Sequence, residues 1–379
     1  MRKILFISRI TPNKTKGGAP LRTYLMIKVL SQLYKDKVAT VIDTRDETAV
    51  ADMLSLGVEV IHYNFNRNHL LFPFFRDNTL TSRIKVLLRE ENIELAIIDY
   101  SFYGQYIQFF KKKKINIIYS THNFQSDLVR QRVYKNTFIN LINKYLYYPL
   151  TVIHEKMYFK DADRIIAVSD NDMLKYKRIV TQSKVVVIPN FMDELHQNDI
   201  SVRNNNFIVF SGSFSSFQNI EGFKWFHANV WSEEISKLAR LILVGSNSDL
   251  LLKQLNINDN KIEATGWVED ATIYIKNAKL AIVPLLHGSG TRFKCIEAMM
   301  YKTPLIGTYK GTEGIINREK IFILEDNAKQ FEKKIIDVLK KPEQMLQKTE
   351  LAYKTFETEY SYAANKKRIA LLLDELMKK

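Results

Sequence analysis

The chain has 379 residues, more than one small hydrophobic core needs, and its 46% hydrophobic and 26% charged residues exclude a disordered polymer. A single cysteine, Cys295, excludes an internal disulfide framework and argues against a thiolate metal cluster. The net charge of +15 is uneven: residues 1–190 hold 30 basic and 17 acidic side chains, net +13, whereas residues 191–379 hold 26 and 24, net +2.

From the start of the chain, Met1 to Ile10 carries basic residues and a short apolar run without a small-residue cleavage site. It reads as a first buried strand, Lys3–Ser8, and not as a signal peptide. Further runs rich in Ile and Val follow at Val38–Asp43, Val58–Tyr63, Leu95–Tyr100, Ile115–Ser120, Arg164–Ser169 and Lys184–Pro189. Their near-uniform apolarity predicts strands covered on both faces of a parallel sheet. Helical patterns lie between them at Pro20–Leu33, Leu80–Glu91 and Phe124–Lys160, the last with a break. Strand and helix in alternation predict a doubly wound α/β domain over residues 1–190. No apolar run approaches the roughly 20 residues that cross a bilayer, so the expected location is cytoplasmic, or peripheral on the inner face of the plasma membrane. The apolar stretch Leu70–Phe75, flanked by Arg67 and Arg76, reads either as a loop that dips into a bilayer or as one packed on its own domain.

Phe191 to Asn206 is polar and reads as a linker. The alternation then restarts over 207–348. Strands are expected at Phe207–Ser211, Leu241–Gly245, Ile262–Thr265, Leu280–Pro284, Pro304–Thr308 and Ile321–Leu324. Helices are expected at Ile220–Trp231, Asp249–Leu255, Ala271–Asn277, Thr291–Tyr301 and Ala328–Lys340. The tail, 349–379, reads as helix with Ile369, Leu372, Leu373 and Leu376 on one stripe that needs a surface to cover it.

The stretch with the most chemistry is the loop after Pro284. Gly288, Ser289 and Gly290 let backbone approach a ligand closely. Thr291 or Ser289 is expected to cap the helix that follows, whose free N–H groups favour an anion such as a diphosphate. Gly290, Lys294 and Glu297, spaced by four and three, share a helical face. A lysine neutralises phosphate, and a carboxylate accepts hydrogen bonds from ribose hydroxyls. An ordinary surface ion pair, Lys294 with Glu297, is the plainer alternative.

Gly288-Ser289-Gly290-Thr291-Arg292, Lys294, Glu297-Ala298-Met299, Lys302-Thr303-Pro304 and Gly311-Thr312-Glu313-Gly314 together resemble the donor-site signature of the family 4 glycosyltransferases. Phe210-Ser211-Gly212-Ser213 with Gln218-Asn219 is similar to the first strand and turn of the donor domain, and Leu243-Val244-Gly245 and Thr265-Gly266-Trp267-Val268 are similar to its later strands. Ala167-Val168-Ser169, Ile188-Pro189-Asn190 and the Gly17-Gly18 loop with Arg22 are similar to its acceptor domain. The resemblance implies the GT-B fold: two Rossmann-like α/β domains facing across a cleft, with a C-terminal helix crossing back to the first. It implies transfer of a sugar from a nucleoside-diphosphate sugar, as co-substrate and with no further cofactor or metal, to a glycan or lipid-linked acceptor. By the same resemblance, Glu297 holds the ribose, and Arg292 and Lys294 face the diphosphate with the Ser289–Thr291 amides. Thr312 and Glu313 lie near the sugar, Gly212 lines the first donor strand, and Gly17, Gly18 and Arg22 close over the donor. His122, in Ser120-Thr121-His122-Asn123 at a strand end, looks like the active-site histidine; a purely structural histidine is the alternative. His62, His69, His154 and Glu155 read as structural or surface groups, and His287 adjoins the donor loop.

Two departures stand out. Many relatives carry a carboxylate eight positions before the ribose-binding glutamate, where this chain has Ser289, and many carry Arg and Lys in the turn that here reads Phe214-Ser215-Ser216-Phe217. Sugar recognition must therefore differ, and phosphate neutralisation rests more on Arg292 and Lys294. The only Asp-any-Asp element near a strand end, Asp170-Asn171-Asp172, reads as a helix cap after Ser169 and not as a metal site. The basic first half predicts an anionic membrane surface or a phosphorylated acceptor. Its scattered lysines and the absence of a reading module argue against nucleic acid. The rival readings are a sugar-nucleotide-binding protein without turnover and a nucleotide-sugar 2-epimerase.

Overall fold

Short runs of β-branched and aliphatic residues lose least by packing edge to edge inside a parallel sheet, and both halves of the chain do so. The computed structural model describes residues 3–15, 17–64, 76–131, 137–181, 184–193, 206–288 and 290–377. Two compact units result: Met1–Pro189 with Asn365–Lys379, and Asn190–Ala364.

The first unit holds seven strands: β1 (Lys3–Ser8), β2 (Val38–Asp43), β3 (Glu59–Tyr63), β4 (Ile93–Asp99), β5 (Asn116–Ser120), β6 (Arg164–Ala167) and β7 (Val185–Val187). They pair in the order β3-β2-β1-β4-β5-β6-β7, all parallel. The central strands β1 and β4 are buried almost throughout; only Lys3 and Glu94 are partly exposed. One face of the sheet packs into a core that includes Leu5, Ile98, Tyr119, Phe159 and Tyr176. The C-terminal helix Tyr362–Met377 enters this unit at Asn365, and its Ile369, Leu372, Leu373 and Leu376 are buried. Asn116 Nδ2 donates to the Leu376 carbonyl at 2.9 Å, and Arg164 pairs with Glu375 at 3.3 Å. The apolar stripe is thus buried, and the end of the helix is tied to the first residues of β5 and β6.

The second unit holds β8 (Phe207–Ser211), β9 (Arg240–Val244), β10 (Ile262–Ala264), β11 (Leu280–Val283), β12 (Leu305–Gly307) and β13 (Ile323–Leu324). Their order is β10-β9-β8-β11-β12-β13, again parallel. The chain enters this unit through an aromatic anchor: the Phe191 and Tyr362 rings lie 6.1 Å apart, and Met192 N donates to the Tyr360 carbonyl at 3.0 Å.

Several expectations need correction. Several strands end one or two residues earlier than expected, as β11 does before Pro284 and β12 before Thr308, whereas β1, β2, β3, β5, β8 and β13 end where expected. The tail is not one helix. Leu346–Thr355 runs into a π-helical turn, Phe356–Tyr360, and Ser361 adopts an extended backbone before the last helix starts. The long segment from Phe124 breaks into Gln125–Gln131, Thr137–Ile142, a π turn over Asn143–Tyr147, and Tyr148–Phe159. Glu47–Ser55, capped by Asp46, and Glu233–Leu238, capped by Ser232, are helices that the apolar periodicity did not reveal. The linker residues 194–205, the stretch Leu70–Phe75 with Arg67 and His69, and Ser289 lie outside the described residues. No described helix is long and apolar enough to cross a membrane.

Candidate functional site

In the second unit the chain winds outward from β8 to β9 and β10 and, on the other side, from β11 to β12 and β13, so the winding reverses between β8 and β11. Open α/β sheets bind ligands at the carboxyl ends of the strands beside such a reversal. Gly212 leaves β8 there with φ +146; a Cβ on it would lie 2.6 Å from Asn219 Nδ2 and 3.0 Å from Lys294 Nζ. The missing side chain is what lets both groups reach the strand end. Gly245 leaves β9 with φ +127, where a Cβ would meet the Gly212 carbonyl at 2.3 Å. Two glycines therefore keep this edge flat and open.

Lys294, on the helix Phe293–Met300, donates to Asn219 Oδ1 at 2.9 Å and stands 4.5 Å from the centroid of the Phe210 ring. Asn219 in turn donates to the Ser213 carbonyl at 2.8 Å, which fixes which way its amide oxygen points. The partner of Lys294 is thus a neutral amide and a ring face. Burial lowers its ammonium to about 7, and Arg292 pushes the same way. One turn on, burial raises Glu297 to about 7, with Asp270 adding to the rise and Lys294 opposing it. A half-buried cation and a half-buried carboxylate, neither at ease in its charged form, are poised for a ligand that brings an anion to one and hydroxyls to the other.

Arg292 precedes this helix at the N-cap, and no side chain caps the first turn. The expected cap by Thr291 is corrected: its hydroxyl instead accepts from Asn190 N at 3.3 Å, and its carbonyl accepts from Asn190 Nδ2 at 2.8 Å. The start of the second unit, not the helix, claims this side chain. The Arg292 guanidinium folds onto Gly288, where a Cβ would lie 2.4 Å from it; Gly288 and Gly290 both have positive φ. Beyond β12, Gly311 lies so close to β11 that a Cβ would meet the Val283 carbonyl at 2.2 Å. That contact sets the turn carrying Thr312 and Glu313. Thr312 is buried and donates to the Thr308 carbonyl at 3.1 Å, and Glu313 pairs with Lys310 at 2.5 Å. His287 stacks near Phe217, ring centroids 5.5 Å apart.

In the first unit the winding reverses between β1 and β4. Asp99, the last residue of β4, sits there fully buried and accepts from Ser8 Oγ at 2.9 Å and Thr23 Oγ1 at 3.0 Å. His122, just past β5, places Nε2 3.0 Å from each Asp99 carboxylate oxygen. Burial pushes the Asp99 carboxyl up, but His122, Ser120 and Arg22 outweigh it and hold it below the usual carboxylate range. The carboxylate thereby orients the imidazole. Behind this loop Glu155, buried and raised to about 7 by burial, accepts from the Gln125 and Ser126 amides. Buried His154 meets Gln105 at 3.2 Å. Both therefore have structural contacts. The expected cap by Asp170-Asn171-Asp172 is corrected: Ser169 caps the helix Asp170–Tyr176, bonding Asp172 through both its backbone and its side chain, and the two aspartates lie in the first turn.

Gly17 and Gly18 precede the helix Ala19–Leu33 with open space around them, and Gly18 has φ +75. Arg22 lies not on a loop but fully within the protein. It donates to the Pro189 and Ile188 carbonyls at 2.8 and 3.0 Å, ties the first helix to the end of the unit, and is lowered to about 10 by burial.

The family model described as Glycosyltransferase Family 4 matches residues 17–194, and that described as Glycosyl transferases group 1 matches residues 205–341. The chain belongs to these glycosyltransferases. Its architecture is the GT-B fold of solved relatives. Sucrose-phosphate synthase from Thermosynechococcus elongatus superposes with a TM-score of 0.74 at 15% identity, covering 100% of both chains. HepE from Anabaena, solved in complexes with UDP and with UDP-glucose, superposes in the UDP complex with a TM-score of 0.70 at 15% identity, covering 98% of this chain and 100% of that one. A glycosyltransferase from Rickettsia africae gives 0.67 at 16% identity, covering 100% and 99%. No curated protein matches the chain in sequence.

In the glycosyltransferase, Gly212, Gly288, Gly290, Arg292, Lys294 and Glu297 gather around the carboxyl ends of β8 and β11, with Thr312 and Glu313 on the turn after β12. His122 gathers with Asp99, Ser8 and Thr23 in the other unit. Sequence reasoning passed over Asp99 and Asn219. A lone acid closing an apolar strand, as in Ile97-Ile98-Asp99, was the available signal for the first; the Asn219 amide had none beyond its place in a family-like turn.

Proposed function

We propose that this glycosyltransferase takes its sugar from a nucleoside-diphosphate sugar, UDP-linked by preference, and passes it to a glycan or lipid-linked acceptor in surface-polysaccharide assembly. Transfer is retaining and metal-independent, as the family resemblance implies. One observation carries the donor assignment: Lys294, held by Asn219 against the glycine edge of β8, with Glu297 one turn further along the same helix. In this reading Lys294, Arg292 and the uncapped helix start stabilise the diphosphate as it departs, and Glu297 accepts from the ribose hydroxyls. Gly288 and Gly290, both at positive φ, lie along the phosphates in this reading. The UDP and UDP-glucose complexes of the similarly folded HepE support uridine as the base. The first unit handles the acceptor, and His122, oriented by Asp99, assists at the reacting sugar.

The test is release of UDP from a panel of UDP-sugars, with and without a lipid extract or oligosaccharide acceptors. Acceptor-dependent release supports transfer. Donor conversion without acceptor identifies an epimerase, and binding without any turnover identifies a sugar-nucleotide-binding protein.

A further inference from the structure

The π turn and its flanking helices carry an exposed strip with an unusual composition. Between residues 137 and 157, eight large apolar side chains are each at least 42% exposed, among them Phe138 and Tyr145 at 68% and Leu141, Leu146 and Ile153 at 48%. Exposed apolar residues on soluble surfaces are usually scattered singly, and a contiguous set marks an interaction surface. The strip is firmly held from beneath. Asn143 donates to the Val129 carbonyl at 2.8 Å, and Thr151, His154, Glu155, Tyr158 and Phe159 are buried on the opposite face.

Charge decides what fits this strip. From Leu128 to Lys160 the chain has six basic residues, Arg130, Arg132, Lys135, Lys144, Lys156 and Lys160, and one acidic residue, Glu155. That glutamate is 1% exposed and faces the Gln125 and Ser126 amides. Lys144, Lys156 and Lys160 are exposed beside the apolar side chains, so the strip presents hydrocarbon edged by positive charge and no exposed negative charge among its described residues. A second copy of the chain is a poor match, because a two-fold contact would set these lysines against their own counterparts. A lipid surface with anionic headgroups satisfies both features: apolar side chains enter the acyl boundary, and lysines meet phosphates.

We propose that residues 137–160 are the surface by which the protein sits on an anionic bilayer. This deepens the reading of a lipid-linked acceptor, by naming where the chain meets the membrane that holds such an acceptor, but it does not depend on donor binding.

The test is sedimentation with vesicles of phosphatidylglycerol and phosphatidylcholine, against phosphatidylcholine alone. Three proteins are compared: the native chain, Leu141→Glu/Leu146→Glu/Ile153→Glu, and Lys144→Glu/Lys156→Glu. All five positions are exposed, and UDP-induced thermal stabilisation is read on each protein as a check on the fold and the donor site. The expected result is sedimentation with anionic vesicles only, weakened by salt and lowered at least about tenfold in both variants, with the UDP response unchanged. Equal sedimentation of variants and native chain would overturn the proposal. So would a native dimer, measured by light scattering, that the apolar variant converts to monomer. If UDP fails to stabilise any of the proteins, the donor reading fails, and the vesicle result still stands or falls by itself.

Discussion

Lys294 and Glu297 show what a single position can reveal beyond its letter. Their spacing was legible, since residues three apart on a helix share a face. Their strained protonation was not, because it comes from burial, which for Lys294 is set beside Phe210 and Asn219, distant in sequence. Both groups lie near 7 in the ligand-free protein. An anion beside Lys294 raises its pKa, so donor binding takes up protons above about pH 7. Ribose hydroxyls lower Glu297, so binding releases protons below about pH 7. Calorimetry with UDP-glucose in buffers of different ionisation enthalpy should show net uptake at about pH 8 and net release at about pH 6. The stability signs follow. Lys294 is lowered, so the ligand-free protein gains stability from it as pH rises from about 7 toward the unfolded value, 10.5. Lys294→Met removes the cost of a desolvated ammonium: the free protein should melt higher, by about 2–4 °C for each kcal/mol relieved, while donor binding is lost. A lower melting temperature in that variant would show that the lysine stabilises the fold instead. At Asp99, which accepts from Ser8, Thr23 and His122, Asp99→Asn should lower kcat by about tenfold or more through a misoriented His122. Its KM for the donor should stay within about twofold if donor binding rests on the second unit alone.

At the scale of elements, the sequence announced every strand of both sheets within a few residues, because parallel strands buried on both faces are nearly uniform apolar runs. It announced the glycines at the strand ends without their reason. Gly212 is required by Asn219, on the helix that follows β8, and by Lys294, on the helix that follows β11. Gly212→Ala should therefore displace Lys294 and weaken UDP binding at least about tenfold in a folded protein. Gly245→Ala, whose Cβ would strike backbone at 2.3 Å, should instead lower the melting temperature of the protein. The missed cap at Thr291 has the same origin: Asn190, a hundred residues away, takes the side chain that local reasoning gave to the helix. The π turns at Asn143–Tyr147 and Phe356–Tyr360 carry no periodicity signal, so the segments around them read as longer helices than they are.

For the whole molecule, the tail was the clearest statement in the sequence, a helix with an apolar stripe and nothing nearby to cover it. The structure assigns Asn365–Lys379 to the first unit, where Leu376 meets β5 and Glu375 meets β6. A chain ending at Ala364 should therefore destabilise the first unit, exposing Ile369's partners and increasing aggregation on heating, while the donor edge of β8 and β11 keeps its own contacts. A truncated chain as stable as the full one would show that the stripe contributes little. The measurement that bears most directly on the account is titration calorimetry of UDP, GDP and ADP into the native protein and Glu297→Ala. The account predicts that UDP binds best and that the substitution weakens it by at least about tenfold. Equal affinity in the two proteins, or no binding of any diphosphate to a folded native chain, would contradict it.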